Sequence, residues 1–241
     1  MGTALGLLLH EEGERTQFLG TCFAFRSRQK FLTAAHCVGK LEASQVSIAL
    51  PRVNLEKPYR VSGIERHPKA DIAVLALAGT NDDAPSLNPV LRFAAHLGMG
   101  EHFVSFGFPE DVFGPDAGQP TARFFRGHFQ RKFYHRSYRG FEYEAGEMNI
   151  PCPGGLSGAP IFRPDLLEEA VGMVTESNKS MTVLESVEEI QENGRTKLKT
   201  INQSFIEYAV ALLLHPHSDW LEQHAPPDPQ VYPYPLRNVT G

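Results

Sequence analysis

The stretch from Pro151 to Pro160 places one hydroxyl in a setting suited to chemistry. It reads Pro-Cys-Pro-Gly-Gly-Leu-Ser-Gly-Ala-Pro, so that Ser157 lies in a run of glycines bounded by prolines. Glycine adopts backbone angles that other residues avoid, and such a loop can turn sharply and point its amides inward. An activated serine needs an exposed hydroxyl with backbone N–H groups nearby to hold a developing oxyanion. Ser157 is therefore a candidate nucleophile.

A base and an orienting carboxylate precede this serine in the chain. His36 follows the apolar run 31–35, which reads as a strand, and imidazole is the usual base for a serine hydroxyl because its pKa lies near working pH. Asp71 begins a second apolar strand, and a buried carboxylate there needs a donor such as an imidazole N–H. Asp82 and Asp83 are alternative orienting residues, but both lie in a polar segment and are poorer candidates.

Four motifs, taken together, resemble the trypsin-like (chymotrypsin-fold) serine proteases. The order histidine, aspartate, serine is the one that chymotrypsin uses. The motifs are Thr33–Cys37 around the histidine, Asp71–Leu75 at the aspartate, Gly155–Pro160 around the serine, and Val171–Thr175 as the strand that follows it. The pattern is most similar to bacterial HtrA-like and other intracellular members. The resemblance implies a serine endopeptidase that works through an acyl-enzyme, without metal or cofactor.

The resemblance also assigns roles by position. Ser157 would attack the scissile carbonyl, His36 would take its proton, and Asp71 would fix the histidine tautomer. The backbone N–H groups of Gly155 and Ser157 would form the oxyanion hole. The segment 175–177 would pair with the substrate backbone as an added strand, and Thr175 at its start would hydrogen-bond Asp71.

Departures from the family pattern bear on activation and specificity. Leu156 stands where digestive members carry an aspartate that pairs with a new N-terminus, so we expect no zymogen switch of that kind.

The predicted substrate-binding residues are Pro151, Cys152, Thr175, Glu176 and Ser177. Pro151 stands where members selective for arginine or lysine carry an acid, which argues against a basic preference. Cys152 favours a small or apolar side chain, and Glu176 would invert this if it pointed into the pocket. Cys152 itself reads as a small buried residue, with a cysteine nucleophile as the less favoured alternative.

Many short strands in two groups predict an all-β fold. With the resemblance, we expect two antiparallel six-stranded β-barrels of the chymotrypsin-like kind and a C-terminal helix. The apolar spacing from Phe205 to Leu213 fits a helical period, with Ser204 as its N-cap. The predicted units are an N-terminal barrel with His36 and Asp71 (1–90), a C-terminal barrel with Ser157 (91–202), a helical segment (203–224) and a proline-rich tail (225–241).

Composition narrows the class of protein. A net charge of −5 argues weakly against general nucleic-acid binding, and no apolar run is long enough to span a membrane. The first nine residues contain leucines but no basic segment, so we interpret them as a strand and expect a cytoplasmic protein. The three cysteines, Cys22, Cys37 and Cys152, lack zinc spacing, and the expected compartment would keep them reduced.

The stretch 123–139 leaves a second class of function open. Six arginines and lysines interleave there with aromatic residues, and no acid interrupts them. This stretch is a candidate patch for nucleic acid or an acidic partner, although two strands with a solvated basic face are the favoured interpretation. The alternative function is therefore a protease-fold binding or regulatory module that stays inactive until a partner protein or nucleic acid engages it. Under either function, the expected substrate is a protein or peptide.

Overall fold

The computed structural model describes residues 4–13, 15–79, 83–90, 92–93, 98–113, 120–183, 188–192, 195–200 and 203–229. Within these residues the fold consists of fifteen strands and two short α-helices, with brief 3-10 turns between them. Most of the strands belong to two antiparallel barrels, as the sequence predicts. No helix in the described part of the chain is long and apolar enough to cross a membrane.

The first barrel closes in the order β1-β2-β3-β6-β5-β4. Its strands are β1 (Leu5–Glu12), β2 (Arg15–Ala24), β3 (Lys30–Thr33), β4 (Val46–Leu50), β5 (Asn54–Arg66) and β6 (Ala73–Leu77). Helix α1 (Ala35–Val38) follows β3 directly. Strand β3 pairs with β6 so that Thr33 lies opposite Ala73, and this register brings the ends of both strands to one rim of the barrel.

The second barrel contains six strands in the order β11-β8-β9-β10-β15-β12, closed by pairing of β11 with β12. Strand β7 (Arg92–Phe93) adds to β12 in parallel. The six strands are β8 (His102–Gly107), β9 (Arg123–Arg136), β10 (Glu142–Met148), β11 (Pro160–Arg163), β12 (Leu166–Val183) and β15 (Gln203–Leu213). Helix α2 (Ser218–His224) follows the last strand.

Three apolar clusters account for the core. One fills the first barrel, one fills the second, and the third joins the barrels with residues from both. Because successive side chains of a strand point to opposite faces, one strand can serve two clusters. In β6, Val74 packs between the barrels while Leu75 packs inside the first barrel, and in β15, Val210 packs between them while Ala211 packs inside the second.

The interpretation of 203–213 as a helix is wrong. These residues form β15, which lies between β10 and β12 at the centre of the second barrel. Both faces of the strand are buried from Ala209 to Leu213, so the sequence shows a continuous apolar run instead of an alternation. The helix that does follow is α2, whose Leu221 packs against the interface between the barrels.

Two strands form a separate sheet that belongs to neither barrel. Strands β13 (Glu188–Glu192) and β14 (Arg195–Thr200) pair antiparallel with Glu192 opposite Arg195. The two residues between them, Asn193 and Gly194, lie outside the described residues. So does the predicted proline-rich tail from residue 230 onward.

Candidate active site

His36 is presented by a one-turn helix at the rim of the first barrel. Strand β3 ends at Thr33, and Ala34 keeps an extended conformation before α1 begins. Ala35 and Val38 pack into the core of the first barrel and anchor the turn, which leaves His36 between them to face the cleft. Gly39 ends the helix with a positive φ of 45°.

Asp71 binds His36 through two atoms. Its Oδ1 accepts the backbone N–H of His36 at 2.8 Å, and its Oδ2 lies 2.7 Å from the ring atom Nδ1. The carboxylate is only 2% exposed, so both bonds replace water that it has lost. Burial lowers the pKa of His36, but hydrogen bonding and charge from Asp71 and from Cys37 outweigh this and raise it. An ionised carboxylate only accepts hydrogen bonds, so its contact with Nδ1 places a proton on that atom and leaves Nε2 to face a substrate or nucleophile.

The loop before Asp71 is fixed from both barrels. Its residues Lys69 and Ala70 donate their backbone N–H groups to Nδ1 of His67, at 3.1 and 2.8 Å. The carbonyl of Lys69 accepts the N–H of Glu142 from the second barrel at 2.9 Å. Packing between the barrels therefore fixes the position of Asp71 together with its own strand.

The serine loop depends on two glycines with positive φ. Gly155 has a φ of 85° and Gly158 a φ of 87°, a region that side chains disfavour. A Cβ on Gly155 would lie 2.6 Å from the carbonyl oxygen of Phe108, and one on Gly158 would overlap the carbonyl oxygen of Thr21. The glycines predicted from the sequence are therefore required by both conformation and space.

Thr21, on β2 of the first barrel, clamps this loop and was not predicted. Its hydroxyl donates to the carbonyl of Gly155 at 2.9 Å and accepts the N–H of Phe108 at 3.0 Å, and its backbone N–H donates to the carbonyl of Ser157 at 2.9 Å. No motif around Thr21 predicts this role, because its partners lie 87 or more residues further along the chain.

The amides of Gly155 and Ser157 are free to bind an anion. The carbonyls of both residues are occupied by Thr21, whereas neither N–H has an acceptor among the described residues. Two unpaired donors on one turn are what a developing oxyanion requires. The assignment of these two N–H groups to an oxyanion hole stays a prediction.

The Ser157 hydroxyl does not donate to His36 in this structure. Its Oγ donates to the carbonyl of Thr175 at 3.0 Å. The sulfur of Cys37 lies 3.7 Å from Nε2 of His36 and 3.9 Å from the carbonyl of Ser157. His36 and Ser157 nonetheless line one cavity.

That cavity has a volume of about 190 Å³ and contains most of the predicted substrate-binding residues. Cys152, Thr175, Glu176 and Ser177 line it, whereas Pro151 is exposed outside the lining. The structure adds four residues that the sequence did not indicate: Tyr138, Arg139, Pro153 and Gly154. The first two come from the turn between β9 and β10, which reaches over the cleft.

Tyr143 stands behind Thr175, and the expected bond between Thr175 and Asp71 is wrong. The Thr175 hydroxyl donates to the carbonyl of Val210 at 3.1 Å and lies 2.9 Å from the Tyr143 hydroxyl. Burial raises the pKa of Tyr143 well above its usual value, so its hydroxyl stays protonated. The buried Tyr143 hydroxyl from β10 therefore lies beside Thr175, where the sequence analysis expected Asp71.

Glu176 is held as a carboxylate. It binds the ring of His135 and lies 3.3 Å from the Tyr143 hydroxyl. Partial burial raises the pKa of Glu176, but its hydrogen bond to His135 lowers it below the usual range overall. Burial and the charges of Glu207 and Glu176 raise the pKa of the Cys152 thiol to about 12. A neutral thiol is a poor nucleophile, which weighs against the cysteine alternative.

Two further expectations concern charge and metals. Of the cations in 123–139, Arg123, Arg131 and Arg136 form ion pairs with Asp111, Glu147 and Glu142. This pairing favours a solvated strand face, and binding of nucleic acid stays a prediction.

All three cysteines are free thiols. In the described ranges no three histidine, cysteine or acidic side chains are grouped so as to hold a metal ion.

The sequence profile of the trypsin-like peptidase domain matches residues 20–173. The chain belongs to the trypsin-like peptidase family. This match confirms the predicted enzyme class, a serine endopeptidase acting on proteins or peptides. No curated protein matches the chain.

Solved structures share the fold of this trypsin-like peptidase at low sequence identity. The active form of the Rv3671c protease from M. tuberculosis superposes with a TM-score of 0.60 at 18% identity, over 93% of this chain and 82% of that one. The MamO protease domain from Magnetospirillum magneticum gives 0.61 at 10% identity, over 91% and 96%. The HtrA-type protease AlgW with a decapeptide gives 0.59 at 12% identity, over 92% and 64%. The resemblance to HtrA-like members is borne out at the level of the fold.

Proposed function

We propose that the chain hydrolyses peptide bonds through a Ser157–His36–Asp71 triad and an acyl-enzyme. The observation that carries the proposal is the pair of bonds from Asp71 to His36, which leaves Nε2 as the basic atom at a cleft shared with Ser157. Ser157 attacks the scissile carbonyl, and His36 takes its proton and returns it to the leaving amine. Asp71 stabilises the imidazolium that forms in between.

Binding and stabilisation of the oxyanion come from the backbone. The free N–H groups of Gly155 and Ser157 receive the oxyanion, and each such donor contributes about 3 kcal/mol to transition-state stabilisation. The substrate adds as a strand along 175–177, on the edge of β12 that β11 leaves open after Val174. A substrate N–H donated to the carbonyl of Thr175 would displace the Ser157 hydroxyl from it and release that hydroxyl towards His36.

Activation does not require insertion of a new N-terminus. Leu156 is fully buried in the core of the second barrel, and an aliphatic side chain offers nothing for an ammonium group to pair with. The oxyanion loop instead takes its shape from Thr21 and the two glycines with positive φ.

Hydrolysis of an unfolded protein tests this function. The purified chain should cleave it, and Ser157→Ala should lower kcat by about four orders of magnitude or more. Ser62→Ala is the matched control, because Ser62 lies on β5 of the first barrel and bonds only to carbonyls of β6. Cleavage that survives Ser157→Ala would contradict the proposal.

One observation favours the second candidate, a module that is inactive until a partner binds. Ser157 donates to Thr175 while the Cys37 sulfur lies beside Nε2 of His36, so the resting site lacks the bond between nucleophile and base. A partner that shifts the serine rotamer would switch such a module on. Rapid hydrolysis of an unfolded protein by the purified chain alone would argue against this candidate.

A further inference from the structure

A second cavity, of about 410 Å³, adjoins His36 beside the cleft of Ser157. Three basic side chains line it, Lys40, Arg66 and Arg139, together with the imidazoles of His36 and His67. Among the described residues no carboxylate is part of this lining. Arg139 also lines the smaller cavity, so the two spaces meet at Arg139 and His36.

Among the described residues, no acidic side chain forms an ion pair with the cations of this cavity. Arg66 donates its Nε to the carbonyl of Gly39 at 2.8 Å and its Nη2 to that of Leu41 at 2.6 Å, which fixes the guanidinium without an opposing charge. Lys40 forms no ion pair with any described residue, and neither does Arg139, whose guanidinium lies 4.7 Å from the ring centre of Tyr138. A protein of net charge −5 thus places three cations beside its histidine base that pair with no carboxylate in the described ranges.

Groups close to the cavity add to its positive electrostatic potential. Lys69, in the loop before Asp71, and His224, on α2, contribute to lowering the pKa of His67, after burial as the larger cause. The Asp71 carboxylate is turned away from the cavity and bonded to His36. An anion entering the cavity would therefore meet cations and the imidazoles of His36 and His67, beside the apolar side chains of Ala35 and Phe141.

The path of a bound peptide leads one side chain into this cavity. Along an added strand successive side chains point to opposite faces. The acyl-side residue of the peptide is the one whose carbonyl Ser157 attacks. Its side chain would enter the cavity lined by Cys152 and Glu176. By the same alternation, the side chain of the residue before it would point the other way, towards His36 and the cavity lined by Lys40, Arg66 and Arg139.

We propose that the cavity lined by Lys40, Arg66 and Arg139 is a specificity subsite for an aspartate or glutamate side chain, carried by the residue immediately before the acyl-side residue. The assignment rests on the proposed function only for the direction of the peptide. Arginine and lysine together suit a carboxylate, because the guanidinium offers directed donors and the ammonium a compact charge.

Binding without catalysis tests the subsite. Two peptide pools, acetyl-Ala-Ala-Glu-Xaa-amide and acetyl-Ala-Ala-Gln-Xaa-amide with Xaa an equimolar mixture, are titrated against the Ser157→Ala variant. We expect the glutamate pool to bind about 5- to 10-fold more tightly at low salt, since a charge-assisted contact in a partly exposed site is worth about 1 kcal/mol. The preference should shrink at high salt because exposed charges are screened.

Variants that remove positive charges from the cavity show which residues cause the preference for glutamate. Lys40→Gln with Arg139→Gln, added to Ser157→Ala, should remove the preference. The control is Lys57→Gln with Arg60→Gln, which deletes the same two kinds of charge from exposed positions on β5 and should keep it. Equal affinities for the two pools, no measurable binding of either, or a preference that survives Lys40→Gln with Arg139→Gln would overturn the proposal. Failure of the wild-type chain to cleave peptides that the variant binds selectively would instead count against the proposed function and leave the subsite standing.

Discussion

The carbonyl oxygen of Thr175 holds the hydroxyl of Ser157 at 3.0 Å, on the strand edge where a peptide substrate would add. A substrate amide and the serine hydroxyl therefore compete for one acceptor. In the proposed mechanism, binding of the substrate would free the Ser157 hydroxyl from this carbonyl.

The bond between Asp71 and His36 predicts the pH dependence of hydrolysis. His36 acts as a base only when neutral, and its pKa is raised above the usual 6.5, so kcat/KM should fall with decreasing pH through a midpoint above 6.5. Asp71→Asn removes the charge that raises the pKa, so the midpoint should move to lower pH while kcat falls by about 10⁴. Profiles of kcat/KM against pH for both proteins measure this. An unchanged midpoint in Asp71→Asn would contradict the assignment of Asp71.

The sulfur of Cys37 provides a second test of the environment of His36. It lies 3.7 Å from Nε2 and helps to raise the pKa of His36, so Cys37→Ala should move the acidic midpoint of kcat/KM to lower pH. The variant should also react faster with a serine-directed probe, because nothing then competes with Ser157 for Nε2. Cys22→Ala is the control, since Cys22 is buried in the same cluster without contacting the imidazole. Identical profiles for the two variants would show that the thiol has no influence.

Gly158 should be among the least replaceable residues of the chain. Its φ is positive and a Cβ would overlap the Thr21 carbonyl, so Gly158→Ala should lower the free energy of unfolding by about 3 kcal/mol or more. Gly100 also has a positive φ, of 79°, but open space around it, so Gly100→Ala should cost only about 1 kcal/mol. Urea unfolding measures both, and similar losses would mean that the contact with Thr21 is unimportant.

Thr21→Val tests the clamp between the first barrel and the serine loop. Valine keeps the shape but leaves the carbonyl of Gly155 and the N–H of Phe108 without their partner, which should cost about 2–4 kcal/mol of unfolding free energy. Activity should also fall at a temperature where the variant is still folded, because the oxyanion turn loses its support. Thr33→Val, which removes a single bond to the Thr21 carbonyl, is the milder control. A variant with full activity would show that the loop holds its shape unaided.

The sequence predicts those parts of the site that short segments determine. His36, Asp71 and Ser157 each lie at a strand end or in a glycine turn, where residue type and local pattern are informative together. Contacts between distant segments have no such pattern: nothing links Thr21 to Gly155, 134 positions away. The turn that carries Tyr138 and Arg139 reads as a surface hairpin, and only the packing of the barrels brings it over the cleft.

Two wrong expectations have physical causes of the same kind. Strand β15 looked helical because packing buries both of its faces and so removes the alternation that marks a strand. The predicted bond between Thr175 and Asp71 followed family position, but the Tyr143 hydroxyl takes the place beside Thr175. Neither the two-sided burial nor the intervening tyrosine is visible before the barrels are assembled.

Covalent labelling of Ser157 tests the central claim most directly. A fluorophosphonate probe should add once to the wild-type chain, and mass spectrometry of the digested adduct should place it on Ser157. The rate should fall steeply in His36→Ala, and Ser157→Ala should abolish the adduct while Ser62→Ala keeps it. An adduct that persists in Ser157→Ala, or that forms on another residue of the wild-type chain, would contradict the assignment of Ser157 as the nucleophile.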